Sequence, residues 1–506
     1  MSAGGLAVLC VAQFVVVLDV TIVAIALPAI SRDLGFQPAQ LSWVITAYTV
    51  VLAGLLILGG RAADLLGAAR MFRVGLVAFS VASLACALAW SPAALICARV
   101  AQGVGAALLS PAALAALNQL IERPGPRRRA LGWWTAAAAG GGASGWVLGG
   151  VITEFAGWRW IFAVNAPIGL GAALISLRVL SPINRPRSSG REGRHLDLMG
   201  ALSVTAGVGL GALGLSMIAG DVGHWTGWLV VALASAALTF FIWHEARIPG
   251  PLVPGSLIAR PGVVGGNLTA AALTASTTPA MLATILYVQD TLRLSPARGS
   301  LLFPSFSLAV IGGALLGPFA LSRIGVRATL LGGFGAVVVA IALLFTLPAQ
   351  GLPILTLVMS FAMMGSGLGA ASVASTTAGT AEVPNVEQGV AAGLLNSTAQ
   401  LGTALGLAVT SPLVASAAAM TGYRRGFAAA AIIGLAGAIS SFTVRRRRTA
   451  AIGTESSTVT HSRTEGAVTH SRTEGAVTNS RIEGADGMPR ESVAGCSPSQ
   501  RPRAGC

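Results

Sequence analysis

Lysine is absent from this chain of 506 residues, and all 33 residues counted as lysine or arginine are arginine. Without lysine there is no P-loop lysine, so an ATPase site of the Walker type is excluded. Covalent chemistry through a lysine Schiff base is excluded as well. The absence of lysine therefore excludes both an ATPase site of the Walker type and a Schiff-base site.

Charge of either sign is also scarce. Charged residues make up 10% of the chain and hydrophobic residues 54%, whereas soluble proteins average about 25% charged residues. Several uncharged runs exceed the roughly 20 residues that a helix needs to cross the hydrocarbon core; they cover 1–31, 34–60, 261–289, 299–322 and 328–381. The composition predicts an all-α integral membrane protein.

Cysteine and histidine are few, with five of each. The cysteines show no paired spacing, which indicates neither a disulfide framework nor a zinc site. In the membrane region the only histidines are His224 and His244, each near the end of a predicted span. A membrane enzyme would need clustered ligands or a nucleophile beside a base, so we expect neither an enzyme nor a metal site.

The arginines sort into alternate gaps between the apolar runs. One set of gaps holds twenty, and these are Arg61, Arg70, Arg73, Arg123, Arg127–Arg129, Arg178, Arg185, Arg187, Arg191, Arg194, Arg247, Arg260, Arg323, Arg327 and Arg445–Arg448. The other set holds six: Arg32, Arg159, Arg293, Arg298, Arg424 and Arg425. Because cytoplasmic loops carry the positive excess, the first set marks the predicted cytoplasmic side. We call the two sides the arginine-rich end and the arginine-poor end.

This sorting places both termini in the cytoplasm and the chain in the cell membrane. The net charge of +15 is explained by orientation and by anionic lipid headgroups, so the bilayer and not nucleic acid is the expected partner. We further expect a monomer.

About fourteen spans are predicted from hydropathy and turn signals, in the order six, two and six. They define an N-terminal six-helix bundle (1–180), a cytoplasmic loop (181–196), an inserted helix pair (197–245), a second loop (246–262) and a C-terminal six-helix bundle (263–444). Residues 445–506 contain a nine-residue repeat, and their polar composition predicts a disordered cytoplasmic tail. Six-span halves around a midplane site are typical of transporters.

Two ionisable residues lie deep in apolar runs. Asp19 is in the first span and Arg99 is near the start of the fourth. Such residues are costly in a membrane unless they are paired, neutral or hydrated, and by default they indicate function. Asp19 could carry a proton or could be a structural acid, and Arg99 could face a carboxylate or extend to the interface.

The loop predicted after the second span combines glycines with charge. Gly67 permits a tight turn between helices. Asp64 could accept from arginines or cap a helix, and such a contact could hold one of two conformations. A plain polar turn is the alternative. The predicted switch residues are Gly60, Asp64, Gly67 and Arg70.

The fifth span carries a face of small residues, which predicts a close helix contact. These glycines are Gly132, Gly141, Gly145, Gly149 and Gly150. Polar residues elsewhere are predicted to line a cavity, and these are Thr21, Gln102, Thr274, Thr277, Asn396 and Gln400. In the ninth span the hydroxyls could instead bond helix to helix.

Together these motifs resemble those of the major facilitator superfamily and, within it, the fourteen-span drug–proton antiporters. The resemblance is carried by Leu18-Asp19-x-Thr21-Ile22-Val23, Gly60 to Arg70, Arg99-x-x-Gln102-Gly103-x-Gly105, the span-five glycines and Trp158–Phe162 with Asn165-x-Pro167. It implies proton coupling by Asp19 and Arg99, a conformational switch at Asp64 and Arg70, and helix packing by Gly141 and Gly145. Trp146 departs from the usual proline, and Ala68 and Ala69 from the usual basic residues.

The expected function is a proton-coupled efflux antiporter that exports small hydrophobic or amphipathic compounds. It would use the proton gradient and no cofactor. A dedicated exporter of one natural product, a metabolite importer, and a sensor or scaffold remain as alternatives.

Overall fold

The fold is described from a computed structural model of the chain. The structure describes residues 3–37, 40–121, 124–180, 197–219, 224–248, 251–253, 255–383, 388–415 and 419–444. The predicted loop 181–196 and the predicted tail 445–506 lie outside these residues.

Sixteen α-helices occur within the described residues. They are α1 (Ala3–Leu34), α2 (Trp43–Leu66), α3 (Ala68–Ala87), α4 (Pro92–Leu120), α5 (Pro124–Phe155), α6 (Arg159–Ala163), α7 (Asn165–Val179), α8 (Leu198–Ala219), α9 (His224–Glu245), α10 (Gly255–Ile258), α11 (Pro261–Leu286), α12 (Pro296–Ser300), α13 (Pro304–Leu344), α14 (Ile354–Thr380), α15 (Gln388–Ala415) and α16 (Ala419–Ser440). A π-helical turn, Tyr287–Thr291, extends α11.

Within the described residues, twelve helices are long and apolar enough to cross a membrane. These twelve do not include α5, which has 32 residues. Pro296–Leu344 counts as one of them with 49 residues, although Gly325 inside it has φ of 80°. The all-α membrane architecture is confirmed, and the number fourteen stays a prediction.

Glycine determines where two helical segments turn. Gly67 separates α2 from α3 with φ of 96°, and Gly325 interrupts α13 in the same way, because positive φ costs glycine little. The sequence analysis placed Gly60 and Asp64 in a loop, and this was wrong. They lie within α2, which continues through Gly59 and Gly60 to Leu66, because the first glycine of this stretch with a positive φ is Gly67.

Helices α1–α7 form the N-terminal half, in which α1 packs on α5 and α4 packs on both α2 and α3. Helices α11–α16 form the C-terminal half, in which α11 packs on α14, α15 and α16. The inserted pair, α8 and α9, packs together, and α8 also contacts α2 and α15. The inserted pair therefore lies against both halves.

The two halves meet along α2 and α15 and also at the arginine-poor end. Midway along α2, the buried hydroxyl of Ser397 donates to the carbonyl of Ala53 at 2.6 Å. At the arginine-poor end, Gln289 Nε2 donates to the Ile25 carbonyl at 2.9 Å. Trp146 of α5 stacks on Phe303, with ring centroids 5.2 Å apart.

Candidate functional site

A buried ion pair lies at the centre of the N-terminal half. Asp19 Oδ2 is 2.6 Å from Arg99 Nη1, and the two side chains are 0% and 1% exposed. The pair joins α1 to α4. Taking one partner away would leave a charge deep in an apolar interior, which proteins avoid. The sequence analysis singled out both residues, and the structure brings them together.

Arg99 is held by further contacts besides Asp19. Its Nε donates to the Val44 carbonyl at 2.8 Å and its Nη1 to Gln102 Oε1 at 2.6 Å. The guanidinium also lies over the ring of Tyr48, 4.3 Å from the centroid, and 5.7 Å from that of Phe162. Arginine's several donors and flat cation suit such a combined arrangement.

The second carboxylate oxygen of Asp19 accepts from two neutral amides. Gln102 Nε2 donates to Oδ1 at 2.8 Å, and Asn165 Nδ2 donates at 3.0 Å. Gln102 Nε2 also lies 2.7 Å from the Ser83 hydroxyl on α3. With the Arg99 bond to the Val44 carbonyl of α2, the network connects five elements, α1, α2, α3, α4 and the start of α7, all within the N-terminal half.

Asn165 and Ser83 were missed as site residues by the sequence analysis. Asn165 is fully buried and begins α7 directly after Val164, whose backbone angles are also helical. Neutral amides and hydroxyls cost far less than charges in an apolar run, so no single residue of this kind is conspicuous. The signal available was the position of Asn165 two residues before Pro167, since proline is common in the first turn of a helix.

Three glycines of α5 lie against α1 beside Asp19. A Cβ added at Gly141 would collide with the Phe14 carbonyl oxygen, and one at Gly145 with the Thr21 hydroxyl. One at Gly149 would lie 2.9 Å from the Ile22 carbonyl oxygen. Because the obstacle is backbone at two of these positions, only glycine permits this spacing.

The other two glycines of the predicted face behave differently. Gly150 lies against the C-terminal half, where a Cβ would meet Ser300 and the Pro296 carbonyl. A Cβ at Gly132 would meet nothing within 4 Å, so the structure gives this exposed glycine no packing contact. The close α1–α5 contact is thus limited to the stretch of α5 beside Asp19.

Beyond its contact with α1 beside Asp19, helix α5 runs on towards the C-terminal half. At its end, Glu154 Oε2 accepts from the backbone N–H of Ala297, at the start of α12, at 2.8 Å. Hydrogen bonds from the Ser295 side chain and the Ala297 amide lower the pKa of this exposed carboxyl. Helix α5 therefore contacts both α1, which carries Asp19, and α12 of the C-terminal half.

The predicted switch residues lie at the arginine-rich end. Asp64 and Arg70 are exposed there, and Gly67 forms the turn between their helices. At Gly60 a Cβ would be 3.8 Å from Pro111, an ordinary distance, whereas one at the neighbouring Gly59 would collide with the Ala107 carbonyl. Of these two glycines, Gly59 therefore makes the tight contact between α2 and α4.

The predicted cavity-lining residues are scattered in the structure. Gln102 is buried in the Asp19 network, and Thr21 donates to the Leu18 carbonyl at 3.1 Å. Thr274 donates to the Ala399 carbonyl of α15 at 2.6 Å, so it bonds helix to helix. Thr277 is buried and bonds within its own helix. Asn396 is exposed and Gln400 half-buried.

Comparison with known proteins agrees with this architecture. The family model described as the Major Facilitator Superfamily matches residues 9–407 and 268–472. A cephamycin export protein of Amycolatopsis lactamdurans is 38% identical over 78% of this chain and 82% of its own length. A puromycin resistance protein of Streptomyces alboniger is 37% identical, over 78% of each chain.

Solved structures share the fold. A peptide transporter, crystallised as a mutant with sulfate, superposes with a TM-score of 0.63 at 17% identity, covering 87% of this chain and 95% of its own. The buried ion pair, the small-residue helix contact and these matches agree, and the chain belongs to the major facilitator superfamily of multi-pass membrane transporters.

Proposed function

We propose that this transporter exports small hydrophobic or amphipathic compounds in exchange for protons. The observation that carries the proposal is the carboxylate of Asp19, fully buried and held by Arg99, Gln102 and Asn165. A carboxylate is the group in this network that can gain and lose a proton, since arginine stays charged at any working pH.

Protonation would change the balance of the network. A neutral Asp19 no longer compensates Arg99, so the ion pair that joins α1 to α4 weakens. The guanidinium keeps its bonds to the Val44 carbonyl and to Gln102. Protonation therefore loosens α1 and leaves α4 attached to α2.

The glycine contact supplies a route from this change to the opposite half. At Gly141 the backbone of α5 lies directly against the backbone of α1, at Phe14 and Leu18, so a shift of α1 displaces α5. The far end of α5 holds α12 through Glu154 and Ala297. A change in the protonation of Asp19 would in this way be transmitted to the contact between the halves at the arginine-poor end, which is one step of alternating access.

The direct experiment compares Asp19→Asn with the parent protein in inverted membrane vesicles across which a proton gradient is imposed. The substitution keeps the side chain's size and removes its titration. We expect gradient-driven transport of a substrate dye to disappear, while binding of the dye persists. Transport that continues undiminished and still requires the gradient would remove Asp19 from the coupling role.

A matched control is available on the same helix. Asp33 lies at the other end of α1 in an ion pair with Arg159 whose side chains are both 45% exposed. Exposed pairs contribute little, so Asp33→Asn should leave transport unchanged.

A narrower substrate range is the second candidate. It is favoured by the 38% identity to a protein named for cephamycin export. Resistance profiling of a sensitive host that expresses the chain separates the two. Protection against many unrelated compounds supports a multidrug exporter, whereas protection against one chemical class supports a dedicated exporter.

The proposed location is the cell membrane, with both termini in the cytoplasm. The support is the excess of arginine at one end of the helices. Export would then run from the arginine-rich end to the arginine-poor end.

A further inference from the structure

A cavity of about 210 Å³ lies between the halves at the arginine-poor end, apart from the Asp19 network. Its walls come from α1, α11, α15 and α16, and they are mainly apolar, with Leu282, Leu286 and Val414 among them. An apolar protein cavity of roughly 150 Å³ binds benzene. The space thus accepts a group of the size of one aromatic ring and is smaller than the pockets of drug-sized ligands.

Two opposite charges line this cavity, Asp290 and Arg32, and no hydrogen bond joins them, although the positive charges of Arg32 and Arg293 both act on the Asp290 carboxylate. Asp290, on the π-helical turn, is exposed and makes no hydrogen bond or ion pair with the described residues. Arg32 makes one hydrogen bond with the described residues, from Nε to the Pro28 carbonyl at 3.2 Å, so its terminal nitrogens have donors to spare. A carboxylate with open acceptor positions and a guanidinium with open donors therefore lie beside the same apolar space.

A buried hydroxyl inside the cavity is also unsatisfied. Ser411 is 9% exposed, and its Oγ has no hydrogen-bond partner among the described residues. Its neighbour Thr410 bonds instead to the Gly406 carbonyl. Burying a hydroxyl without a partner costs free energy, so this group is poised to contact a ligand.

We propose that this cavity binds a small zwitterion that carries one ring-sized apolar group, as an α-amino acid with an aromatic side chain does. The ammonium pairs with Asp290, the carboxylate pairs with Arg32, and the ring fills the space beside Ser411. A ligand with both charges satisfies both side chains together, whereas a simple cation or anion leaves one of them unpaired.

The site goes beyond the exporter function proposed above. It lies on the side where an exporter would release its cargo, and its residues are not those of the proton-coupling network. Its test measures binding and requires no transport, so a failed exporter hypothesis and a failed binding hypothesis give different results.

Three probes share a phenyl ring and differ in charge: phenylalanine, phenethylamine, which lacks the carboxylate, and 3-phenylpropionate, which lacks the ammonium. Their dissociation constants are measured by saturation-transfer NMR with the full-length protein in lipid nanodiscs. Phenylalanine should bind more tightly than either single-charge probe by up to about fivefold, the upper end of the range for an exposed ion pair.

Substitutions of the two charges should remove this preference selectively. In Asp290→Asn, the affinity for phenylalanine should fall to that for 3-phenylpropionate, and the affinity for 3-phenylpropionate itself should stay unchanged. In Arg32→Gln, the affinity for phenylalanine should fall to that for phenethylamine. Ser411→Leu fills the cavity and should abolish binding of all three probes.

Controls at the same end use charges that do not line the cavity, namely Asp33→Asn and Arg298→Gln, and both should leave binding unchanged. Equal binding of the three probes to the parent protein would overturn the proposal. An equal loss of affinity for phenylalanine and for 3-phenylpropionate in Asp290→Asn would also overturn it. If Ser411→Leu does not fold, the two charge variants decide alone, because Asp290 and Arg32 are exposed.

Discussion

At the scale of single residues, the Asp19 network shows how a membrane protein retains a buried carboxylate. Arg99 supplies the opposite charge, and Gln102 and Asn165 fill the other oxygen's lone pairs. Asp19 and Arg99 could be predicted because a charge within an apolar run is conspicuous. Asn165 could not, because its function depends on which helices adjoin, and spacing along the chain does not specify that.

A double-substitution experiment tests the energetic link between the two charges. Arg99→Ala leaves Asp19 buried without its partner, and breaking such a pair typically costs about 3–5 kcal/mol. The same substitution should cost much less when Asp19 is already Asn, because no charge is then left unpaired. Thermal unfolding of the four proteins in detergent measures the difference, and equal costs in both backgrounds would contradict the pairing.

At the scale of elements, the decisive contact is that of α5 with α1. The spacing of glycines predicted a close helix contact, and Gly141, Gly145 and Gly149 make one. The spacing did not identify the partner helix, and it included Gly132, where an added Cβ would meet nothing within 4 Å among the described residues. Composition along one helix reveals a small face, whereas the partner is determined by how all the helices pack.

Adjacent glycines on α5 provide a matched test of this contact. In Gly141→Ala the added methyl group meets the Phe14 carbonyl oxygen, which is backbone and cannot rotate away. In Gly140→Ala it meets the Phe14 ring at 3.8 Å, an ordinary distance. We expect Gly141→Ala to reduce efflux at least about tenfold, since a misplacement of about 1 Å can slow a step that depends on exact positioning by about a hundredfold.

Gly140→Ala should transport like the parent protein in the same vesicle assay. Similar activity of both alanine variants would show that the α1–α5 spacing is not needed for transport.

At the scale of the whole molecule, two halves meet at the arginine-poor end through few polar bonds. The sequence analysis predicted halves and an inserted pair from the order of spans. It could not predict that α8 would lie against both α2 and α15, because an apolar helix is attracted to lipid and protein alike.

The contact of Glu154 with the Ala297 amide should help to hold this end closed. Glu154→Ala removes the acceptor, whereas Glu154→Gln retains an oxygen. Spin labels at Phe155 and Leu301, which are 79% and 67% exposed, in a cysteine-free background report the separation of the halves. We expect a longer mean distance for the alanine variant only, and identical distance distributions in both variants would exclude the contact as a latch.

Proton dependence of the same contact has a definite sign. The pKa of Glu154 is lowered in the contact by the Ser295 hydrogen bond and the Ala297 amide. Its stabilisation is therefore present above the usual pKa of a glutamate and lost as the pH falls through the lowered value. In an Asp19→Asn background, where the proposed proton-binding group is removed, the label distance should lengthen only in strong acid. Lengthening between pH 6 and 8 in that background would contradict the assignment of the pH dependence to Glu154.

The repeat region tests the alternative of a sensor or scaffold. Deleting 449–506 removes the predicted disordered tail, and we expect efflux by the truncated protein to match that of the full chain. A loss of transport at equal expression would assign the tail a function in the transport cycle.

The central claim is that Asp19 exchanges its proton when substrate binds. The most direct measurement adds an exported compound to the purified protein in weakly buffered nanodiscs and records proton release with a pH dye. We predict that the parent protein and Asp33→Asn release protons and that Asp19→Asn releases none. Equal proton release by Asp19→Asn would contradict the account.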